Sequence, residues 1–365
     1  MSLQIGIVGL PNAGKSTLFN ALTKGHAATA AYPFTTIDPN VGVASIPDER
    51  LEQVAALVQP EKTIPATVEF VDIAGLVKGA HRGEGLGNQF LGHIRNTDAI
   101  AMVLRAFRSP DVAHVFPEVN PLLDLDTLDL ELMLADVETL DRRLEKVRAQ
   151  AKARPKDFAE EIAFLERARE ALNRGQRLAL ASLAPKEQAF LAPLNLLSLK
   201  PRLYVVNVGE EDLPDDGPLA REALARAERE GVPTIVLSAQ VEADLTEWPE
   251  EEAQAYRQEL GLDRSGLERL VWASFRLLDL ITFITATGRA AVRAWPILRG
   301  TTAWEAAGKV HTDMQRSFIR AEVISWADLV RVGSFAAARE QGLLRLEGRD
   351  YVVQDGDVIH FRFAA

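Results

Sequence analysis

The sequence predicts an α/β protein: a doubly wound, mostly parallel sheet, interrupted by a helical insertion and followed by a small α+β domain. Three observations predict it. Short apolar runs alternate with helical segments, as in βα units. The first run ends in Gly9-Leu10-Pro11-Asn12-Ala13-Gly14-Lys15-Ser16, which fits G-x-x-x-x-G-K-[ST]. The stretch between the third and fourth runs carries a helical period over a length too great for one crossover. Leu3–Gly9 reads as a buried strand feeding a turn, and a helix from about Lys15 to Thr23 follows. Val68–Val71 is the second buried strand and Ala99–Phe107 the third; Leu203–Val206 and Thr234–Leu237 complete the set. From Leu128 to about Gln150, Leu130, Leu134, Val137, Leu140, Leu144 and Val147 recur at helical spacing. Arg154-Pro155-Lys156-Asp157 breaks that pattern, and a second helix runs from about Phe158 to Asn173, ahead of Gly175. An antiparallel helical hairpin inserted in the sheet domain is expected, in preference to two covering helices. The last part has short strand-like runs, the tight turn Asp355-Gly356-Asp357 and an alternating final strand, Val358–Phe363.

Composition bounds the function. With 365 residues, 47% hydrophobic and 25% charged, the chain is long enough for two or three globular domains. The absence of cysteine excludes disulfides, thiolate metal sites and Cys nucleophiles. No apolar run approaches the roughly 18 residues of a membrane span, and Met1–Ile5 lacks the features of a signal peptide. A cytoplasmic protein with no membrane partner is expected; nothing fixes an oligomeric state, and a monomer is favoured. The net charge of −11 is uneven: from Ile281 onward 11 Lys+Arg stand against 9 Asp+Glu, +2, which leaves −13 for the rest. RNA contact is therefore to be sought locally, not over the whole surface.

The glycine-rich loop carries the chemistry. Its glycines let the backbone curl so that successive amides turn inward toward phosphate oxygens, and the helix that follows adds a positive dipole end. Lys15 is the residue to neutralise β/γ-phosphate charge, and Ser16 to offer its hydroxyl to magnesium. The strand ending in Asp72-Ile73-Ala74-Gly75 supplies D-x-x-G: Asp72 as a second magnesium anchor and the Gly75 amide as a γ-phosphate sensor. Glycines at 79, 83, 85 and 87 make the following segment a candidate switch. Tyr32-Pro33-Phe34-Thr35-Thr36-Ile37 offers two threonines, either of which could give its hydroxyl to magnesium when a γ-phosphate is present.

Base recognition departs from the guanine-binding pattern Asn-Lys-x-Asp. The corresponding strand end reads Asn207-Val208-Gly209-Glu210, without the lysine and with a carboxylate one methylene longer. Ser238-Ala239 matches the Ser-Ala element that completes a base pocket. Guanine selectivity is expected to be weak and adenine is the preferred base, because an unpaired buried acceptor penalises the wrong ligand. A GTPase of ordinary selectivity, with Asn207 still contacting N7, and an RNA- or ribosome-binding module with a structural nucleotide stay open as alternatives.

Gly9–Thr17, Tyr32–Asn40, Asp72–Ala80, Gly83–Phe90 and the Asn207–Glu210 departure together resemble the Obg-like ATPase (YchF) subfamily of P-loop proteins. Thr282–Gly288, Arg293-Ala294-Trp295, Gly300, Ala307-Gly308, His311 and Phe318–Val323 resemble its TGS domain. The resemblance covers nearly the whole chain. It implies a P-loop NTPase G domain, an inserted α-helical coiled-coil arm and a C-terminal β-grasp (ubiquitin-like) TGS domain. The expected divisions are 1–127 and 199–279 for the G domain, 128–198 for the arm and 280–365 for the TGS domain. It further implies Mg2+ on Ser16 and Thr36, nucleotide contacts on Asn12–Thr17, Asn207 and Val208, ATP as substrate, and association with ribosomes. Leu76 stands where many GTPases carry a water-orienting glutamine, and His114, in the loop after the third strand, takes the family's histidine position. His114 is thus the candidate to orient the attacking water, against the alternative of a solvated loop histidine. RNA contact would draw on the basic residues of the arm, such as Arg142 and Arg143, and of the terminal domain, such as Arg293 and Arg320 beside Trp295 and Phe318.

Overall fold

The computed structural model describes residues 3–27, 41–73, 86–110, 112–287 and 290–364. In chain order the first half contains β1 (Gln4–Val8), α1 (Lys15–Ala27), β2 (Val41–Ser45), α2 (Glu49–Val58), β3 (Lys62–Ile64), β4 (Thr67–Asp72), α3 (Leu86–Asn96), β5 (Ala99–Ala106), α4 (Pro121–Ala151), α5 (Pro155–Asn173) and α6 (Pro185–Leu191). There follow β6 (Arg202–Val208), α7 (Gly217–Glu230), β7 (Thr234–Leu237), α8 (Ala239–Leu245), α9 (Glu250–Glu259) and α10 (Gly266–Leu277). The chain closes with β8 (Leu280–Thr287), β9 (Ala291–Leu298), α11 (Ala303–Val310), α12 (Thr312–Arg316), β10 (Phe318–Ser325), α13 (Trp326–Val332), α14 (Phe335–Glu340), β11 (Arg345–Glu347) and β12 (Asp357–Phe363). Among the described residues no helix is long and apolar enough to cross a membrane.

These residues form two compact units, one holding residues up to 25 together with 69–273, the other 43–68 and 274–364. The first unit is built on the strand run β4-β1-β5-β6-β7. β1 pairs in parallel with β4 and β5, β5 with β6, and β6 with β7. Every residue of β5 and β6 is buried, as expected for central parallel strands covered on both faces. Because the strands run in parallel, the residues after β1, β4, β6 and β7 meet at one edge, where ligands bind in such sheets. That geometry brings the 9–16 loop, Asp72, Asn207 and Ser238 together.

The helical insertion differs from expectation at its start. α4 begins at Pro121, capped by the Asn120 side chain, which accepts from the Leu123 amide at 3.0 Å. It then runs without a break through 128, where the sequence reading placed a domain boundary. The proline at the first helical position and the Asn cap explain the earlier start. Leu125, Leu128, Leu132 and Ala135 pack in the core under the sheet. Leu140, Leu144 and Val147, one stretch further on, pack instead against Phe164, Leu165, Ala168 and Leu172 of α5. One continuous helix therefore serves as sheet cover and as half of the hairpin. Arg143–Glu161 at 2.6 Å, Arg148–Glu166 at 2.6 Å and Arg169–Asp141 at 3.0 Å cross the hairpin. Part of the arm's positive charge is thereby neutralised within the arm.

In the second unit β8 and β9 form an antiparallel pair, β12 lies parallel to β8, and β10 is antiparallel to β12 and β11. Two parallel central strands, each flanked by an antiparallel neighbour, are the β-grasp arrangement expected from the resemblance. α11, opened by a Thr302–Glu305 capping box, contributes Ala303, Ala306 and Ala307 to the core with Phe283, Phe318 and Phe361. Residues 43–68 join this unit although they precede it by more than two hundred positions. β3 adds to the sheet through Lys62↔Ala291 and Ile64↔Arg293, and Arg50 of α2 meets Asp355 at 3.0 Å. β3 has no signature in the sequence, because three residues, two of them exposed, carry no alternation.

Candidate functional site

The loop after β1 is held by two close approaches. A Cβ on Gly9 would lie 2.5 Å from the Val103 carbonyl oxygen of β5, so only glycine lets the strand end this near its neighbour. Gly14 has φ +93, and a Cβ there would meet Asn207 Nδ2 at 2.2 Å. Asn12 also takes a positive φ, 62, which asparagine tolerates better than most residues. The loop is thus tightly packed, with positive φ at Asn12 and Gly14.

Lys15 is 7% exposed, and its Nζ donates to the Leu10 carbonyl at 2.8 Å. Burial lowers its pKa to about 8, with the Asp72 carboxylate acting in the opposite direction. Ser16 Oγ donates to Asp72 Oδ2 at 3.3 Å, while Asp72 Oδ1 is buried with no hydrogen-bond partner. A hydroxyl and a carboxylate that converge, with one carboxylate oxygen left over, form an all-oxygen donor set that suits a hard divalent cation. The residues present thus fit magnesium. Thr36 and Gly75 lie outside the described residues, as do Leu76 and Arg82 of the candidate switch.

Asn207, 4% exposed, ties the residues after β7 to the loop after β1. Its Nδ2 donates to the Ala13 carbonyl and its Oδ1 accepts from the Ala239 amide, both at 2.9 Å. Ser238 and Ala239 are buried at the start of α8. A cavity of about 520 Å³ opens here, lined by Gly14–Thr17 on one side, Val208–Glu211 and Ser238–Val241 on another, and Phe107, Arg108, Ser109 and Val112 on a third. Asn12, Lys15, Ser16, Thr17, Asn207, Val208, Glu210, Ser238 and Ala239 all line it. Glu210 is exposed, and the Tyr256 hydroxyl of α9 donates to its Oε1. The Tyr256 ring is itself packed on Trp248, centroids 5.3 Å apart.

His114 stands apart from this cavity lining. Its side chain is 6% exposed, with Nε2 3.3 Å from Asp124 Oδ2 and Nδ1 accepting from the Phe116 amide at 3.2 Å. It is not a solvated loop histidine. Asp124, in the first turn of α4, has its carboxyl pushed up by burial, against the pull of His114 and Arg105.

Sequence reasoning missed several residues here. Phe107, Arg108 and Glu211 line the cavity, and Tyr256 reaches Glu210 from 46 positions away. Arg105 was detectable in principle, as the one charge in the apolar run of β5. It is 1% exposed and donates to three carbonyls: Phe107 at 3.3 Å, Ala113 at 3.1 Å and Val112 at 2.9 Å.

Comparisons with known proteins bear on both units. Residues 4–154 match a family described as "50S ribosome-binding GTPase". Residues 280–364 match the YchF-GTPase C-terminal family, described as a protein of unknown function. A Bacillus subtilis protein named Ribosome-binding ATPase YchF is 48% identical, with all of both chains covered. An Escherichia coli O157:H7 protein of the same name is 47% identical over all of this chain and 99% of its own. The solved structure of the Schizosaccharomyces pombe YchF GTPase superposes with TM-score 0.88 at 35% identity, covering 99% of this chain and 98% of that one.

Proposed function

The chain belongs to the YchF family, and on that premise we propose that it is a magnesium-dependent, ribosome-binding ATPase that prefers ATP to GTP. The observation that carries the reading is the join made by Asn207: one buried amide fixes the phosphate loop at Ala13 and the base side at Ala239, across a cavity of nucleotide size. The amides of Gly14–Thr17 and the Lys15 ammonium hold the phosphates; Ser16 and Asp72, with Thr36, hold magnesium. When bound there, the metal neutralises charge on the β- and γ-phosphates. Lys15 leaves the Leu10 carbonyl for phosphate oxygens, and their charge keeps its proton in place. His114 orients the attacking water once its ring leaves Asp124. If His114→Ala hydrolyses ATP at the wild-type rate, that role is wrong.

Glu210 supports the ATP preference. Guanine recognition needs a carboxylate free to accept two hydrogen bonds, and here Tyr256 already engages the one at that position. Tyr256→Phe frees it and is expected to narrow the preference by about threefold, since an exposed hydrogen bond contributes about 1 kcal/mol or less. The check is competition of ATP and GTP for a fluorescent nucleotide. Stronger displacement by GTP on the wild-type protein would favour the GTPase reading.

Relatives named Ribosome-binding ATPase YchF support the ribosome as partner. We place the protein in the cytoplasm, on ribosomes, with RNA contact through the arm and the C-terminal TGS module. Arg293 stacks its guanidinium 3.9 Å over Trp295, a cation–aromatic pair of that module that RNA could engage. Loss of ribosome co-sedimentation by Arg293→Ala, with ATP binding unchanged, tests the contact.

A further inference from the structure

We infer that Arg105 is a positioning residue for the nucleotide site, setting the wall formed by the loop after β5 and locking it to the phosphate loop through the Ala113 carbonyl. A guanidinium 1% exposed in a central strand is costly to hold without a carboxylate partner. Arg105 forms no direct ion pair among the described residues, and the nearby Asp124 carboxylate only partly offsets the cost of its burial. Its charge is met by the Phe107, Val112 and Ala113 carbonyls and by the Phe107 ring, 4.6 Å from its Cζ. Each of these acceptors belongs to the loop that supplies Phe107, Arg108, Ser109 and Val112 to the cavity. The Ala113 carbonyl is shared: Asn12 Nδ2 of the phosphate loop donates to it at 2.9 Å. One carbonyl oxygen is thus gripped from the sheet interior by Arg105 and from the phosphate loop by Asn12. The planar guanidinium suits this task because its fork presents donors in several fixed directions at once, which a lysine cannot do.

The inference rests on the cavity being the nucleotide site, and the test separates the two. Binding of ATP with magnesium would be measured for the full-length wild type, Arg105→Lys, Arg105→Met, Asn12→Ala, the Arg105→Lys/Asn12→Ala double variant and Lys15→Ala, with Tm recorded for each. Positioning predicts at least tenfold weaker ATP binding in both Arg105 variants. Arg105→Met leaves the Phe107 and Val112 carbonyls without this donor and should lower Tm, so its ATP binding is compared at a temperature where it is folded. It also predicts non-additivity: the double variant should bind no more than about twofold weaker than the worse single variant, because both residues act through one carbonyl. If Arg105→Met does not fold, Arg105→Lys and the double variant decide. ATP binding within twofold of wild type in Arg105→Lys, or fully additive losses with Asn12→Ala, would overturn the assignment. Wild-type affinity in Lys15→Ala would instead overturn the reading of the cavity, and the assignment with it.

Discussion

Lys15 shows how one residue combines sequence logic with an environment that only the fold supplies. Its place in the motif is legible because the spacing is local: strand, glycine loop and helix follow one another in the chain. Its pKa is not legible, since burial lowers it to about 8 while Asp72, a residue of another strand, opposes the shift. Phosphate binding favours the charged form, so binding takes up a proton once the free protein has lost it. ATP affinity should therefore be flat below about pH 8 and fall as pH rises beyond it, which titrations between pH 6.5 and 9.5 would check. Lys15→Ala should lower affinity at least a hundredfold and flatten that profile. The tie that Asn207 makes was not legible, because its partners Ala13 and Ala239 are distant in sequence. Asn207→Ala leaves a buried carbonyl and a buried amide unpaired. It should cost about 2 to 4 kcal/mol in denaturant unfolding as well as nucleotide affinity.

At the scale of elements, the strands of the first sheet are readable because each is a buried apolar run, and both hairpin helices because their leucines keep the helical period. The start of α4 was harder to see. Pro121, Leu122 and Leu123 lie in a proline-rich approach, and the helix changes its packing partner midway without changing its pattern. That change of partner gives the arm a rigid root. Asp136, fully buried, accepts from the Leu197 and Ser198 amides at 2.8 Å each, and fastens the helix to the chain returning to β6. Removing this carboxylate by Asp136→Ala orphans both amides and is expected to loosen the root. Amide exchange at Leu197 and Ser198 should accelerate more than tenfold, against little change at the phosphate loop. Phe164→Ala, within the hairpin, should lower stability by about 3 to 5 kcal/mol without altering the ATP/GTP ratio.

For the whole molecule, the two units were legible as two kinds of sequence, but the membership of 43–68 was not. Pairing of β3 with β9 joins residues far apart in the chain, and no local pattern reports such a contact. A fragment of residues 274–365 should accordingly be less stable than the same unit in the full chain, because it lacks β3 and α2; added peptide 43–68 should raise its Tm. The central proposal is that this cavity binds ATP in preference to GTP in a protein that acts on ribosomes. The most direct test is competition of ATP and GTP for the purified full-length protein, measured with and without ribosomes. ATP should displace a labelled nucleotide at lower concentration than GTP, and ribosomes should shift the ATP curve. Tighter binding of GTP, or an ATP curve that ribosomes leave unmoved, would contradict it.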